Sequence, residues 1–157
     1  MSFMRLSTQT RYGVRAIFDI AYHSEGLETQ VKNISRRQGI SPRYLEQIFQ
    51  KLKRGGILAS KRGPSGGYSL AKKPEAITVG EIVRITEGSL DPVRCSNSRA
   101  SSQSCDRLTE CVTRIVWNEA GNRIKDYFDS VTIQDLCRMA QQMGVKKELD
   151  RRFMYYI

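Results

Sequence analysis

At 157 residues the chain has the length of one domain, or of one small domain with an appendage, and it can bury an ordinary core. Hydrophobic residues at 39% and charged residues at 27% exclude wholesale disorder, and no apolar run nears the ~20 residues of a bilayer span. Net charge is +10, and residues 1–75 hold 14 Lys/Arg against 5 Asp/Glu, so the excess sits in the first half and suggests a basic face for a polyanion.

"STQTRYGVRAIFDIAYHSEG" predicts a first helix with Ser7 or Thr8 near its cap. Val14, Ile17, Phe18, Ala21 and Tyr22 share one face at helical spacing, and Tyr12 and Tyr22 read as core. His23, the one histidine, ends this helix and reads as a surface residue. "VKNISRRQG" is a short second helix stopped by Gly39. In "ISPRYLEQIFQKLKRGG", Ser41 is a strong cap, Pro42 suits the first helical position, and Leu45, Ile48, Phe49 and Leu52 form the apolar stripe. Two helices joined by a tight turn at a glycine signal a helix-turn-helix. "ILASKR" and "YSLA" flank the turn "GPSGG" and predict a hairpin, hence a wing. Lys61, Arg62, Lys72 and Lys73 bracket that wing with charge suited to phosphates or a narrow minor groove. The glycines do not match a phosphate-binding loop, which needs G-x-x-x-x-G-K-[ST] opening a helix.

"TVGEIVRITEG" follows as a short helix with the capping-box spacing Thr78/Glu81. After the stretch "CSNSRASSQSCDRLTEC", Val112, Val116, Ala120, Ile124 and Phe128 recur every four residues, joined by Ile115 and Tyr127. A small winged helix cannot cover so long a stripe, so a second copy is expected to do so in a homodimer. "TIQDLCRMAQQM" reads as a final helix capped by Thr132, and residues 144–157 as a frayed or partner-dependent tail. The predicted fold class is mainly α: a winged helix-turn-helix at 4–88, a cysteine-containing sensor loop at 89–111, and a dimerisation helix with a final helix at 112–143.

Three of the four cysteines, Cys95, Cys105 and Cys111, lie in that one polar run. The start of the chain has no apolar core after its basic residues, so no secretory signal and a cytoplasmic location are expected. There, structural disulfides are disfavoured, and clustered thiols point to metal or redox chemistry. Iron–sulfur ligation, a thiol–disulfide switch and zinc all remain open on the residues alone. An enzyme or electron carrier is disfavoured by the absence of a histidine-based catalytic set and of a nucleotide loop. Cys137 lies among Leu136, Met139 and Ala140 and reads as a buried structural thiol.

"RLSTQTRYGVRAIFDIA", "GISPRYLEQIFQKLKRGGILASKRGPSGGYSLA", "ITVGEIV" and the cysteine loop before a long helix resemble the IscR-like family of dimeric winged-helix transcriptional regulators, which includes the nitric-oxide-sensing repressor NsrR. The resemblance runs from Met4 to about residue 141 and is most specific from Gly39 to Ala71. It implies binding of double-stranded DNA at a palindromic operator, with the third helix in the major groove and the wing in the minor groove. Ser41, Tyr44, Glu46 and Gln47 would face DNA from the helix and Arg62 from the wing. Arg43 stands where the family has a small polar residue, which alters the expected preference at that base step. The resemblance also implies a 2Fe–2S cluster on Cys95, Cys105 and Cys111, with a longer first spacing here. The family's non-cysteine fourth ligand is missing: Arg114 stands where a histidine ligand falls and Arg11 where a first-helix acid falls, and a guanidinium is not expected to ligate iron. Cys137, an acid (Asp106, Glu110 or Glu119), an exogenous ligand, or no ligand remain for that position.

Overall fold

The computed structural model describes residues 6–96, 106–107 and 109–149. In chain order these form α1 (Thr8–His23), α2 (Val31–Gln38), α3 (Pro42–Arg54), β1 (Leu58–Lys61), β2 (Gly67–Leu70), α4 (Val79–Glu87), α5 (Val112–Ser130) and α6 (Ile133–Gln142). Short 3-10 turns lie at Pro74–Ala76 and Arg94–Ser96. The expected mainly helical winged-helix class is what the chain adopts.

Local chemistry sets the helix starts. Ser7, Ser41, Thr78 and Thr132 each accept, on the side-chain oxygen, the amide N–H three residues on, which satisfies one of the orphan donors of a first turn. At α6 the cap is reciprocal: Thr132 N–H donates to Asp135, whose carboxyl is lowered to about 2 by that bond first and by Arg138 next. Gly39 ends α2 at φ 64°, a left-handed conformation that favours glycine.

The core forms where α1 and α3 cross. Ala16, Ile17 and Ile20 of α1 meet Leu45, Ile48, Phe49 and Leu52 of α3, all fully buried, and Ile34, Ile57, Ile77 and Ile82 close the space around them. Each such side chain is worth roughly 1.5–3 kcal/mol of burial. Tyr22 is buried and Tyr12 is half-buried against this cluster. Gly55 lies so close to Ile85 of α4 that a Cβ there would collide, which seats the end of α3 on α4.

The strands pair antiparallel from Leu58↔Leu70 to Lys61↔Gly67. Thr29, ahead of α2, adds one more rung on the far edge of β2, exchanging 2.9 Å bonds in both directions with Tyr68. After α5 the chain returns through a bridge between Thr78 and Thr132, and Ile133, Cys137 and Ala140 of α6 join the core. Cys137 is therefore a buried thiol, and burial pushes its pKa up.

Two expectations are corrected. His23 is not a surface residue: it is 6% exposed, because the chain after α6 folds back over the end of α1. There its Nδ1 accepts the amide of Glu148 at 2.9 Å, while the Tyr22 hydroxyl donates to the carbonyl of Val145 at 2.6 Å. Residues 145–149 are thus docked rather than frayed, with Glu148 paired to Arg36 of α2 at 2.6 Å. Residues 150–157 of the expected tail lie outside the described residues.

Asp19 is the deepest charge, fully buried on α1. Arg37 at the end of α2 grips it with Nε to both oxygens at 3.1 Å and a terminal nitrogen at 2.6 Å, and Gln38 donates to it at 2.8 Å. A buried pair of this kind costs most when half of it is removed. Asp19→Ala is expected to lower unfolding free energy by about 3–5 kcal/mol, measured by denaturant melts, with Arg37→Ala losing a comparable amount. Near-neutral singles would show that water or another group compensates.

His23 supplies a pH test. Burial lowers its pKa from 6.5, Asp19 and Glu148 oppose that shift, and Arg37 and Lys147 add to it. Its stabilising contribution is therefore present above pH 6.5 and is lost as pH falls below it, since the unfolded chain takes the proton first. Melting temperature should drop between neutral pH and about 5, and His23→Asn should flatten that part of the profile.

Candidate nucleic-acid interface and cysteine site

Because Leu45, Ile48, Phe49 and Leu52 turn inward, α3 presents Ser41, Arg43, Glu46, Gln47 and Gln50 outward, all exposed. Ser41 also spends its hydroxyl on the Tyr44 amide at 3.3 Å. Tyr44 is half-buried, its ring meeting Tyr12 edge-on at 5.9 Å, so its orientation is fixed from α1. Arg15 lies over the same Tyr12 ring at 5.3 Å.

The wing stands beside this face. Phe49 of α3 and Tyr68 of β2 pack ring to ring at 4.7 Å, which ties the wing's base to α3. Lys53 donates to Ser60 at 2.6 Å and Gln30 to the Pro64 carbonyl at 3.2 Å. Lys61 and Arg62 are both exposed; Lys61 approaches Glu28 at 3.9 Å, a loose surface pair of little worth. Ser41, Arg43, Glu46 and Gln47 are thus exposed at and along α3, and Lys61 and Arg62 at the end of β1 and just beyond it. The residues bracing the wing, Glu28, Thr29 and Gln30, were not read as functional, and only the polar "ETQ" before α2 could have signalled them.

Of the three loop cysteines, Cys105 lies outside the described residues. Cys95 sits in the 3-10 turn Arg94–Ser96, and Cys111 is the N-cap position of α5. The two segments are fastened by Arg114, whose Nε donates to the Cys95 carbonyl at 2.9 Å. Cys111 contacts the Thr113 hydroxyl at 3.2 Å; that bond, and then the Arg114 amide, favour the thiolate and lower its pKa. Both thiols are half-exposed, a setting suited to ligation or exchange and opposite to that of Cys137. Among the described residues no three ligands already form a metal set. The donor chemistry nonetheless fits a thiolate-held cluster at Cys95 and Cys111. Of the other candidates for a fourth ligand, Glu119 pairs with Arg123 at 2.8 Å and Asp106 and Glu110 are exposed.

α5 has two unlike faces. Val112 (76% exposed), Ile115 (69%), Val116 (59%) and Tyr127 (64%) stand in solvent. The other face meets the segment leading to Cys95 and the body beneath, with Lys125 paired to Asp91 at 2.7 Å and Asp129 to Arg84 of α4 at 2.7 Å. No helix among the described residues is long and apolar enough to cross a membrane.

Comparison with known proteins agrees with this geometry. The family model Rrf2, described as an iron-dependent transcriptional regulator, matches residues 6–139. The chain is 39% identical over 147 residues to the HTH-type transcriptional regulator IscR of Pectobacterium atrosepticum, covering 94% of this chain and 87% of that protein. Among solved structures, T. potens IscR superposes with a TM-score of 0.70 at 34% identity, covering 97% of this chain and 96% of that one. CymR, the global cysteine regulator of B. subtilis, gives 0.69 at 33% identity, covering 86% of this chain and 97% of that one.

Proposed function

The chain belongs to the Rrf2 family of transcriptional regulators, and we propose that it binds a palindromic operator as a homodimer whose affinity is set by a 2Fe–2S cluster on Cys95, Cys105 and Cys111. The carrying observation is the Arg114 bond that fastens the Cys95 turn to the start of α5 beside Cys111. On this reading residues 4–88 are the DNA-binding unit, 89–111 the sensor loop, 112–143 the dimerisation and final helices, and 144–157 the tail.

The exposed apolar face of α5 suits a second copy of itself, since an isologous contact matches an identical stripe. Pairing there would space two α3 helices for successive major-groove half-sites. Gln47 is suited to adenine and Glu46 to cytosine, Arg43 and Arg62 to guanine or phosphate, and Ser41, Tyr44 and Lys61 to the backbone. When bound, the cluster supplies a redox- and ligand-sensitive bond between the two cysteine segments. Cys95 and Cys111 would hold the loop to α5, Arg114 and the Lys125–Asp91 pair fasten the segment leading to Cys95 onto α5, and the Asp129–Arg84 pair joins α5 to α4. A change in ligation shifts operator affinity only so far as the two loop states bind DNA differently.

A second reading has one supporting observation: similarity to CymR, named for cysteine regulation, beside a Cys111 thiol that favours its anion. In that case the same cysteines would switch by disulfide formation. Anaerobically purified protein with a visible absorption band, iron and sulfide supports the cluster; colourless protein with a reversible disulfide supports the alternative.

On the DNA side, affinity should fall steeply with salt. Gln47→Ala is expected to cost about 1–3 kcal/mol on the cognate site and relax base preference, whereas Lys61→Ala should weaken cognate and random DNA alike. Equal losses from both changes on every sequence would remove α3 from the reading role.

On the cysteine side, anaerobic reconstitution should fail in Cys95→Ala, Cys105→Ala and Cys111→Ala, and succeed in Cys137→Ala, whose thiol is in the core. Full iron loading in any loop variant would overturn the ligand set.

A further inference from the structure

Among α1–α4, only α2 begins without a side-chain cap. α1, α3 and α4 start at Ser7, Ser41 and Thr78, each of which accepts an amide of its own first turn. The N-cap of α2 is Gln30, whose side chain makes no such bond. Its backbone carbonyl accepts the Asn33 amide at 3.0 Å, while its side-chain Nε2 donates elsewhere, to the Pro64 carbonyl at 3.2 Å. A serine or aspartate here would add stability to the helix. The chain instead carries a longer side chain at this position, and that side chain reaches the wing.

Pro64 lies in the turn that closes the hairpin. The Gly66 amide donates to the Gly63 carbonyl at 2.9 Å, and Gly63 takes φ 110°, which favours glycine. A Cβ on Gly66 would fall 2.2 Å from the Lys61 carbonyl oxygen, so the turn folds tightly onto the end of β1. Arg62, exposed, stands between that strand end and the turn. Lower in the wing the hold is by backbone. Gly26 accepts the Leu70 amide at 3.0 Å, and Thr29 and Tyr68 exchange bonds at 2.9 Å. Beyond that rung, the Gln30 side chain reaches the turn itself.

We propose that Gln30 is a positioning residue for DNA binding: its bond to the Pro64 carbonyl fastens the wing's turn, and Arg62 with it, to the start of α2. This rests on the reading above in which Arg62 meets DNA. Because α2 leads through Gly39 into α3, the bond refers both elements that would meet DNA to one helix. Without it the turn samples more orientations, and ordering it on DNA costs affinity.

The full-length chain would be compared as parent, Q30S, Q30M, R62A and Q30S/R62A. The probe is a palindromic duplex selected by the parent from a random-sequence pool. Readouts are the dissociation constant at fixed salt and a thermal melt. Q30S restores a capping hydroxyl but cannot reach Pro64. Its melting temperature should hold or rise while its affinity falls roughly three- to tenfold. Q30M, of similar length but without a donor, should lose affinity by the same factor. R62A should weaken binding, and adding Q30S should weaken it no further, since the bond acts through Arg62. Parent-like affinity in both Q30S and Q30M overturns the assignment. So does a fully additive loss in the double variant, which would put Gln30 to work independently of Arg62. Melting temperature falling together with affinity in both single variants makes the residue structural and overturns the positioning role. In these three outcomes Arg62 stays at the DNA. R62A with the parent's affinity instead removes the wing contact from the proposed function, and this assignment with it.

Discussion

The buried carboxylate of Asp19 is the constraint on which the placement of α3 depends. It sits on the innermost side of α1 and takes both the Arg37 fork and the Gln38 amide from the last turn of α2. Gln38 in turn receives Arg15, one turn earlier on α1, at its side-chain oxygen and its carbonyl. The end of α2 is therefore fixed from two directions just before Gly39 turns the chain left-handed into Ile40 and α3. An apolar pair could fill the same volume at similar stability, because desolvation offsets most of the attraction in a buried ion pair. What the charges add is direction. A bidentate fork accepts one orientation of α2 relative to α1, and that orientation sets where α3 emerges.

From α3 outward, aromatic contacts replace ionic ones. Tyr12 on Tyr44 orients the start of α3, and Phe49 on Tyr68 orients the wing against its middle. Rings suit this position because they combine apolar area with a preferred packing geometry, which fixes the wing's orientation on α3. The Thr29 rung on β2 serves the same end: a two-stranded hairpin alone is marginal in water, and a third pairing steadies it.

Much of this was legible in the sequence, and the exceptions share a physical cause. Ser41–Pro42, Gly39, the four inward residues of α3 and the "GPSGG" turn are local signals, decided by neighbours a few residues away. His23 was misread because its burial comes from residues 145–149, more than a hundred positions later, and nothing near it in sequence announces that contact. The tail was misread for the same reason from the other end.

The attachment of α5 explains how the cysteine site could reach the DNA-facing side at all. Gly121 is the one α5 residue fully buried among those described, so the helix is joined to the body by particular contacts and not by a broad core. Asp129 packs against Gly80, where no Cβ would fit, and pairs with Arg84; both belong to α4. Ile85, on the same helix, fills the space left by Gly55 at the end of α3. The contacts therefore run from α5 to α4 and from α4 to the end of α3. Rigid contacts transmit a displacement but do not create one, and coupling requires an element with two arrangements. On the proposed reading that element is the strap between Asp91 and Cys95, held to α5 by Arg114 in either state and by shared iron in only one. Losing the iron would remove that shared restraint and leave the Arg114 bond in place. The effect on DNA should then pass through the spacing of the two α3 helices and leave the exposed residues of each α3 unchanged.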